Sequence, residues 1–365
     1  MKVVLDSNII IADWHLGSPS FRILLEGSKQ GKLDVYVPKV IIDEVCNKFE
    51  ERLKQAQQKI DKELKTVKKL TEESFDNEVT DDFIKENTSQ YRSQLIKKLK
   101  ENKVSFLPYP KTSHKILSQK AMKKIKPFNS NEKGYRDSLI WENVKSILTE
   151  DEQAISYPEV IFITNNYTDF SGDGDKIHSD LINELTEEEF DASSVELRRG
   201  LKEFNDTTTK LFFSQAESFR NRIKDGKIWD FDIKTPITNF LFDNYIGKEL
   251  YHYQSRDEYE FDSSTVSGIN DEDFELEITS VQKLNATEFI LEVATEIDTE
   301  IDLFIEKYTN WMDMEPKVAI IDPDWNRHVM LASTSLNVPL SITLIVDADL
   351  EISSIEIDKI YDEYR

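Results

Sequence analysis

The stretch that decides the fold is the first one, "MKVVLDSNIII", residues 1–11. Val3, Val4 and Leu5 form a short branched apolar run that ends on a carboxylate, Asp6, and a second apolar run resumes at Ile9. Four apolar residues or fewer, with no polar alternation, read as a strand buried on both faces, and such strands belong to parallel sheets. An acid at the end of a buried strand needs a reason. It can cap the following helix, since aspartate is a preferred N-cap, or it can stand at the carboxyl edge of a sheet, where parallel α/β folds place their sites.

The next elements support the parallel reading. "LDVYVP" (33–38) is a strand, and Pro38 suits the opening of a helix. A long polar helix runs on to about residue 70, and a second covers about 80–102. "VSFLPYP" (104–110) is a short strand or extended segment, and helices follow at about 113–125 and 134–150. "EVIFIT" (159–164) is a second strongly apolar strand. This β-α-β-α order predicts an α/β domain with a parallel sheet flanked by helices. Residues 194–225 read as helical. From Asp273 the chain turns to short alternating runs of Ile, Val, Thr and Glu, with turn signals at Lys283–Asn285, Pro323–Asn326 and Asn337–Pro339. That pattern predicts antiparallel strands with one wet face. The expected organisation is an α/β domain over 1–190 with a helical extension at about 46–125, a helical connector over 191–230, and an acidic β-rich (α+β) domain over 231–365.

Charge separates these parts. The 365 residues carry a net charge of −24, yet residues 1–150 hold 28 Lys and Arg against 22 Asp and Glu. Between Lys85 and Arg136 there are 14 basic residues and three acids, a footprint suited to a polyanion. Residues 251–365 hold 7 bases and 27 acids. That half would repel nucleic acid and suits a protein partner, or an element that covers the basic stretch. No apolar run approaches the roughly 20 residues of a membrane helix, and Lys2 precedes too few apolar residues for a secretory leader. The single cysteine, Cys46, excludes an intramolecular disulfide and a multi-cysteine zinc site. The expectation is a cytoplasmic protein without membrane contact.

Several acids and amides can reach the edge marked by Asp6. Asn8 lies two residues on. In "PKVIIDEVCNKF", Glu44 follows Val40 and Ile41 at helical spacing and so lies on the inward face, with its neighbour Asp43 the other eligible acid. In "NEKGYRDSLIWENV", Asp137 shares a stripe with Ile140, Trp141 and Val144, flanked by Lys133 and Arg136 as candidate phosphate ligands. "VIFITNNYTDF" brings Thr164, Asn166 and Asp169 to the end of a strand. Buried acids meeting from several elements cannot all ionise without a cation. With no His or Cys among them the donors are hard oxygens, which select Mg2+ or Mn2+ rather than zinc. Such an ion activates water and steadies a phosphate under in-line attack.

In this order, "VVLDSNII", "VPKVIIDEV", "GYRDSLIW" and "VIFITNNYTDF" resemble the PIN domain, a Mg2+- or Mn2+-dependent nuclease fold, over about residues 1–190. The resemblance implies an acidic pocket that cleaves single-stranded RNA or DNA, with RNA favoured. By it Asp6, Glu44 and Asp137 take three metal-binding acid positions. Many such domains carry an acid two residues after the threonine matched by Thr164; here that position is Asn166, and the next acid is Asp169, taken as the fourth metal-binding and catalytic position. Asn8 and Thr164 support the set. The long helices resemble an insertion found in larger bacterial relatives, and pairing into a homodimer is also implied. A stand-alone nuclease of this kind suits translation control, toxin-like growth arrest or phage defence. Two other readings stand beside it. One is a catalytically weak or inactive binding module for nucleic acid or protein. The other is a phosphohydrolase of the haloacid-dehalogenase type, which needs an acid where Asn8 stands.

Overall fold

The computed structural model describes residues 1–129, 133–149, 158–172, 176–224, 234–247, 249–250, 253–254, 260–261, 264–270, 275–308 and 317–357. Glu132, one of the three acids of the basic stretch, Asp273 and residues 225–230 of the expected connector lie outside them. The chain divides into two compact units, Met1–Phe212 and Phe213–Arg365.

Unit 1 is built on five parallel strands: β1 (Lys2–Leu5), β2 (Asp34–Pro38), β3 (Ser105–Leu107), β4 (Val160–Thr164) and β5 (Val195–Arg199). Their spatial order is β3-β2-β1-β4-β5. The chain leaves β1 toward β2 and β3, then returns to the other side of β1 for β4 and β5. The order therefore reverses between β1 and β4, and this topological switch point opens a crevice at the carboxyl ends of those two strands. The expectation of a buried first strand is met: Val3, Val4 and Leu5 are fully buried, as are Val160, Phe162 and Ile163 of β4. Leu5 sits beside Ile163 in register, so the two strands end level with one another.

Helices cover the sheet. They are α1 (Ser7–Ala12), α2 (Pro19–Lys29), α3 (Lys39–Thr71), α4 (Asp81–Glu101), α5 (His114–Lys123), α6 (Tyr135–Lys145), α7 (Tyr167–Phe170), α8 (Ser179–Glu187) and α9 (Leu201–Thr207). Pro38 is the N-cap of α3 and the last residue of β2, one position earlier than a proline inside the first turn. Only the first two turns of α3 are buried, through Val40, Ile41, Ile42, Val45 and Cys46. The remainder of its 33 residues, about 50 Å in all at 1.5 Å per residue, forms a hairpin with α4 on which Asn77 closes the loop by bonding Gln57 and Asp61. Tyr91 stacks on Phe49 at 4.1 Å between ring centres and meets Trp14 edge-on, joining the hairpin to the core.

Two sequence expectations need correction here. The helical extension placed at about 46–125 includes β3, a strand of the main sheet. The helical connector placed over 191–230 includes β5, the other edge strand. "VELRR" has no apolar run, but Val195 and Leu197 are buried and pair with β4. For an edge strand this short, tertiary pairing outweighs the helix preference of Glu, Leu and Arg.

Unit 2 holds α10 (Glu217–Lys224), α11 (Lys234–Asn244), short strands β6 (Glu249–Leu250), β7 (Tyr253–Gln254) and β8 (Glu260–Phe261), then β9 (Ser264–Asn270), β10 (Glu277–Lys283), β11 (Glu288–Glu306), β12 (Ala319–Asp322), β13 (Val329–Asp347) and β14 (Ile352–Ile357). The expected antiparallel β-rich sheet is present, dominated by β11 and β13, which pair along 19 residues each. Their inward residues, among them Ile297, Ile301, Val338 and Ile342, are buried. Outward stand Glu296 and Glu300, exposed, with Asp298 and Asp302 half-buried. The turn expected at Asn337–Pro339 is absent, since these residues lie inside β13. Pro339 faces Glu296 on β11. On its other side β13 pairs with β12 at residues 331–333 and with β14 from residue 342. Between those contacts no described residue pairs with that edge, and a proline there removes no ladder bond to β11.

Candidate active site

Asp6 is the N-cap of α1, 2% exposed, with Oδ1 accepting from the Ser7 N–H at 2.6 Å. The cap explains only one of its oxygens. Oδ2 accepts from the Thr164 hydroxyl at 2.6 Å and from Asn8 Nδ2 at 2.8 Å. Asn8 in turn donates to Thr164 at 3.2 Å and accepts from the Asn165 N–H at 3.0 Å. The level ends of β1 and β4 make this network possible: the Asp6 N–H bonds the Ile163 carbonyl at 3.0 Å, so Asp6 lies beside Thr164. Asn8 and Thr164 therefore act on Asp6, holding its carboxylate at the switch point.

Three more acids arrive from other elements and line the same pocket of about 800 Å3. Glu44 comes from the buried second turn of α3, Asp137 from the first turn of α6, and Asp169 from α7. Burial pushes Asp6 up to about 6, partly opposed by the Thr164 and Ser7 hydrogen bonds and increased by the charge of Glu44. Burial likewise pushes Asp137 up to about 7, and the charges of Asp6, Asp169 and Glu44 add to the effect while Arg136 opposes it. The four acids thus sit close enough to repel one another.

Each remaining acid has a partner. Glu44 forms an ion pair with Arg136, and Asp169 accepts from Asn166 Nδ2 at 2.7 Å. Among the described residues no group of three or more His, Cys, Asp or Glu side chains is arranged as a formed metal cluster. In chemistry the set fits a hard divalent cation: every donor is oxygen, and two carboxylates are held largely from water at a cost that a cation would relieve.

Asp43, the alternative to Glu44, is engaged elsewhere. Partial burial would raise it, but hydrogen bonds from Tyr109, at 2.5 Å, and Arg92, at 2.6 Å, outweigh that and hold it below the usual carboxylate range. Lys133 and Arg136 both line the pocket. The basic stretch 85–136 is not one free face. Arg92 serves Asp43, Lys98 donates to the His15 carbonyl, and Lys126 to that of Thr168. Lys120 is buried between Glu142 and Glu184. Cys46 packs in the core.

Six pocket residues were not among the candidates named from the sequence: Ser7, Ile11, Asn129, Gly134, Tyr135 and Asn165. Gly134 is the N-cap of α6 with φ +120°, and a Cβ there would stand 2.4 Å from the Pro127 carbonyl oxygen. The signal was present in "NEKGYRD", where a glycine directly precedes a helix, but nothing local shows that the chain passes so near Pro127.

Residues 3–170 match the family model described as PIN domain. No curated protein and no solved structure matches the chain. The matched region begins in β1 and ends at the last residue of α7, so it contains every acid of the pocket. PIN domains are generally nucleases, and over residues 3–170 the N-terminal unit of this chain carries the pattern of a PIN domain.

Proposed function

We propose that unit 1 is a Mg2+- or Mn2+-dependent endonuclease that hydrolyses phosphodiester bonds of single-stranded RNA or DNA, with RNA the favoured substrate. The observation that carries this reading is the delivery of Asp6, Glu44, Asp137 and Asp169 from four separate elements into one pocket at the switch point. Bound there, the ion would stabilise charge developing on the phosphate and make water a better nucleophile. Asp6, Glu44 and Asp137 would hold it, with Asp169 and the side-chain oxygen of Asn166 completing the set. Thr164 and Asn8 fix the Asp6 carboxylate so that it need not reorganise on binding. Lys133 and Arg136 would bind the phosphodiester, Arg136 by exchanging Glu44 for a phosphate oxygen, a geometry its planar guanidinium suits. The acidic outer face of β11 supports a protein partner for unit 2.

A second reading, a binding module with little or no catalysis, is favoured by the amide at Asn166 and by the Arg136–Glu44 pair. Calorimetric titration of the whole protein with Mn2+ separates the two. The nuclease reading expects binding that Asp137→Asn abolishes. No heat of binding from the unmodified protein would favour the module.

A further inference from the structure

Tyr135 is the first residue of α6, two positions before Asp137, and it lines the acid pocket beside Lys133. It is 47% exposed. Scattered exposed aromatics are ordinary on a protein surface, but among the described residues Tyr135 is the one exposed large apolar or aromatic side chain that borders this pocket. It does not serve the core: Leu139, Ile140, Trp141 and Val144 make the buried face of α6. The residue before it, Gly134, has no side chain to crowd the approach, and a Cβ there is forbidden by the Pro127 carbonyl.

An aromatic ring beside the cations Lys133 and Arg136 matches the surface that grips single-stranded nucleic acid, where positive charge holds the backbone and the bases stack on rings. We propose that Tyr135 is a nucleobase-stacking platform, taking an unpaired base next to the phosphodiester held in the pocket, with Lys133 on a flanking phosphate. The inference rests on the nuclease reading and gives it a physical source of strand selection. Bases in a duplex are paired and stacked on one another, so only an unpaired base is free to lie on the ring. Every base has a π-face, so the platform confers little base preference.

The test is fluorescence anisotropy with fluorescein-labelled oligouridylate and oligothymidylate, each single-stranded and annealed to its complement. The full-length protein carries Asp137→Asn so that strands are not cut. Adding Tyr135→Ala is expected to weaken single-strand binding about tenfold or more, while Tyr135→Phe stays within twofold and duplex binding does not change. Equal melting temperatures for the two variants exclude a folding effect. Undiminished single-strand binding by Tyr135→Ala, or equal losses on single strand and duplex, would overturn the platform. If the unmodified protein with Mn2+ neither binds nor cuts either oligonucleotide, the nuclease reading itself falls, and the platform with it.

Discussion

The hydroxyl of Thr164, at the end of β4, donates to Oδ2 of Asp6, at the end of β1, across 2.6 Å. The bond joins the two strands between which the sheet order reverses, and it fixes one of two acids whose ionisation is opposed by burial. Thr164→Val keeps the shape and removes the donor. A hydrogen bond to a charged group contributes about 1.5–3 kcal/mol, so the variant is expected to bind Mn2+ roughly tenfold more weakly or worse, whereas Thr164→Ser stays near wild type. Calorimetry checks both. Equal affinity in Thr164→Val would show that Asp6 is positioned without Thr164.

Stability in the absence of metal should fall as pH rises. Asp6 and Asp137 are raised from 3.8 to about 6 and about 7 in the folded protein. Between the unfolded and folded values the folded state binds more protons, so the slope of unfolding free energy against pH is negative. The loss begins above about pH 4 and is complete above about pH 7, on the order of 3 kcal/mol for one such shift. The two acids titrate as a coupled pair, so their effects do not add simply. Urea unfolding of the metal-free protein between pH 5 and 8 (a window spanning about half of the titration) measures this. Adding Mn2+ should stabilise most at the alkaline end. A metal-free stability that rose with pH across this window would contradict the electrostatics of the pocket.

Gly134→Ala tests the entry to α6. A φ of +120° disfavours any side chain, and the new Cβ would meet backbone atoms of Pro127 and Phe128 at 2.4–2.9 Å. Strain of this kind costs roughly 1–3 kcal/mol before the clash is counted. The expected outcome is a lowered urea midpoint together with loss of Mn2+ binding, because the shift displaces Asp137. A midpoint equal to wild type would show that the 127–134 segment yields without cost.

Arg136→Gln removes the cation that pairs with Glu44. Mn2+ affinity should then rise several-fold, since the ion no longer competes with a guanidinium, while KM for an oligonucleotide rises because a phosphate ligand is gone. Unchanged Mn2+ affinity would mean that Glu44 takes no part in holding the ion.

Much of unit 1 was legible because its signals are local. Val3–Leu5 and Val160–Ile163 announce buried strands by composition, and the apolar stripes behind Glu44 and Asp137 place both acids on inward faces. The strand that escaped notice, β5, is an edge strand. β5 carries Glu and Arg, so only pairing reveals it as a strand, whereas β3 lies inside the stretch 104–110 read as a short strand or extended segment. Pro339 misled for the opposite reason: a proline ordinarily breaks a strand, but here it occupies a stretch of edge that none of the described residues pairs with. In the site, acids could be read one by one from pattern, whereas their partners could not. Arg136 on Glu44 joins residues 92 apart in the chain, whereas Asn166 on Asp169 and Pro127 against Gly134 are near neighbours brought together by loop geometry that no periodic pattern shows, and Tyr135 carries no pattern apart from its exposure.

The central claim is that the acids gathered at the β1–β4 switch point hold a metal that cuts single strands. It is tested most directly by incubating the protein with end-labelled RNA and single-stranded DNA, with Mn2+, Mg2+ or EDTA, beside Asp6→Asn and Asp137→Asn. The account predicts internal cleavage that needs the metal and is lost in both variants. Cleavage that survives in both variants, or in EDTA, would contradict it.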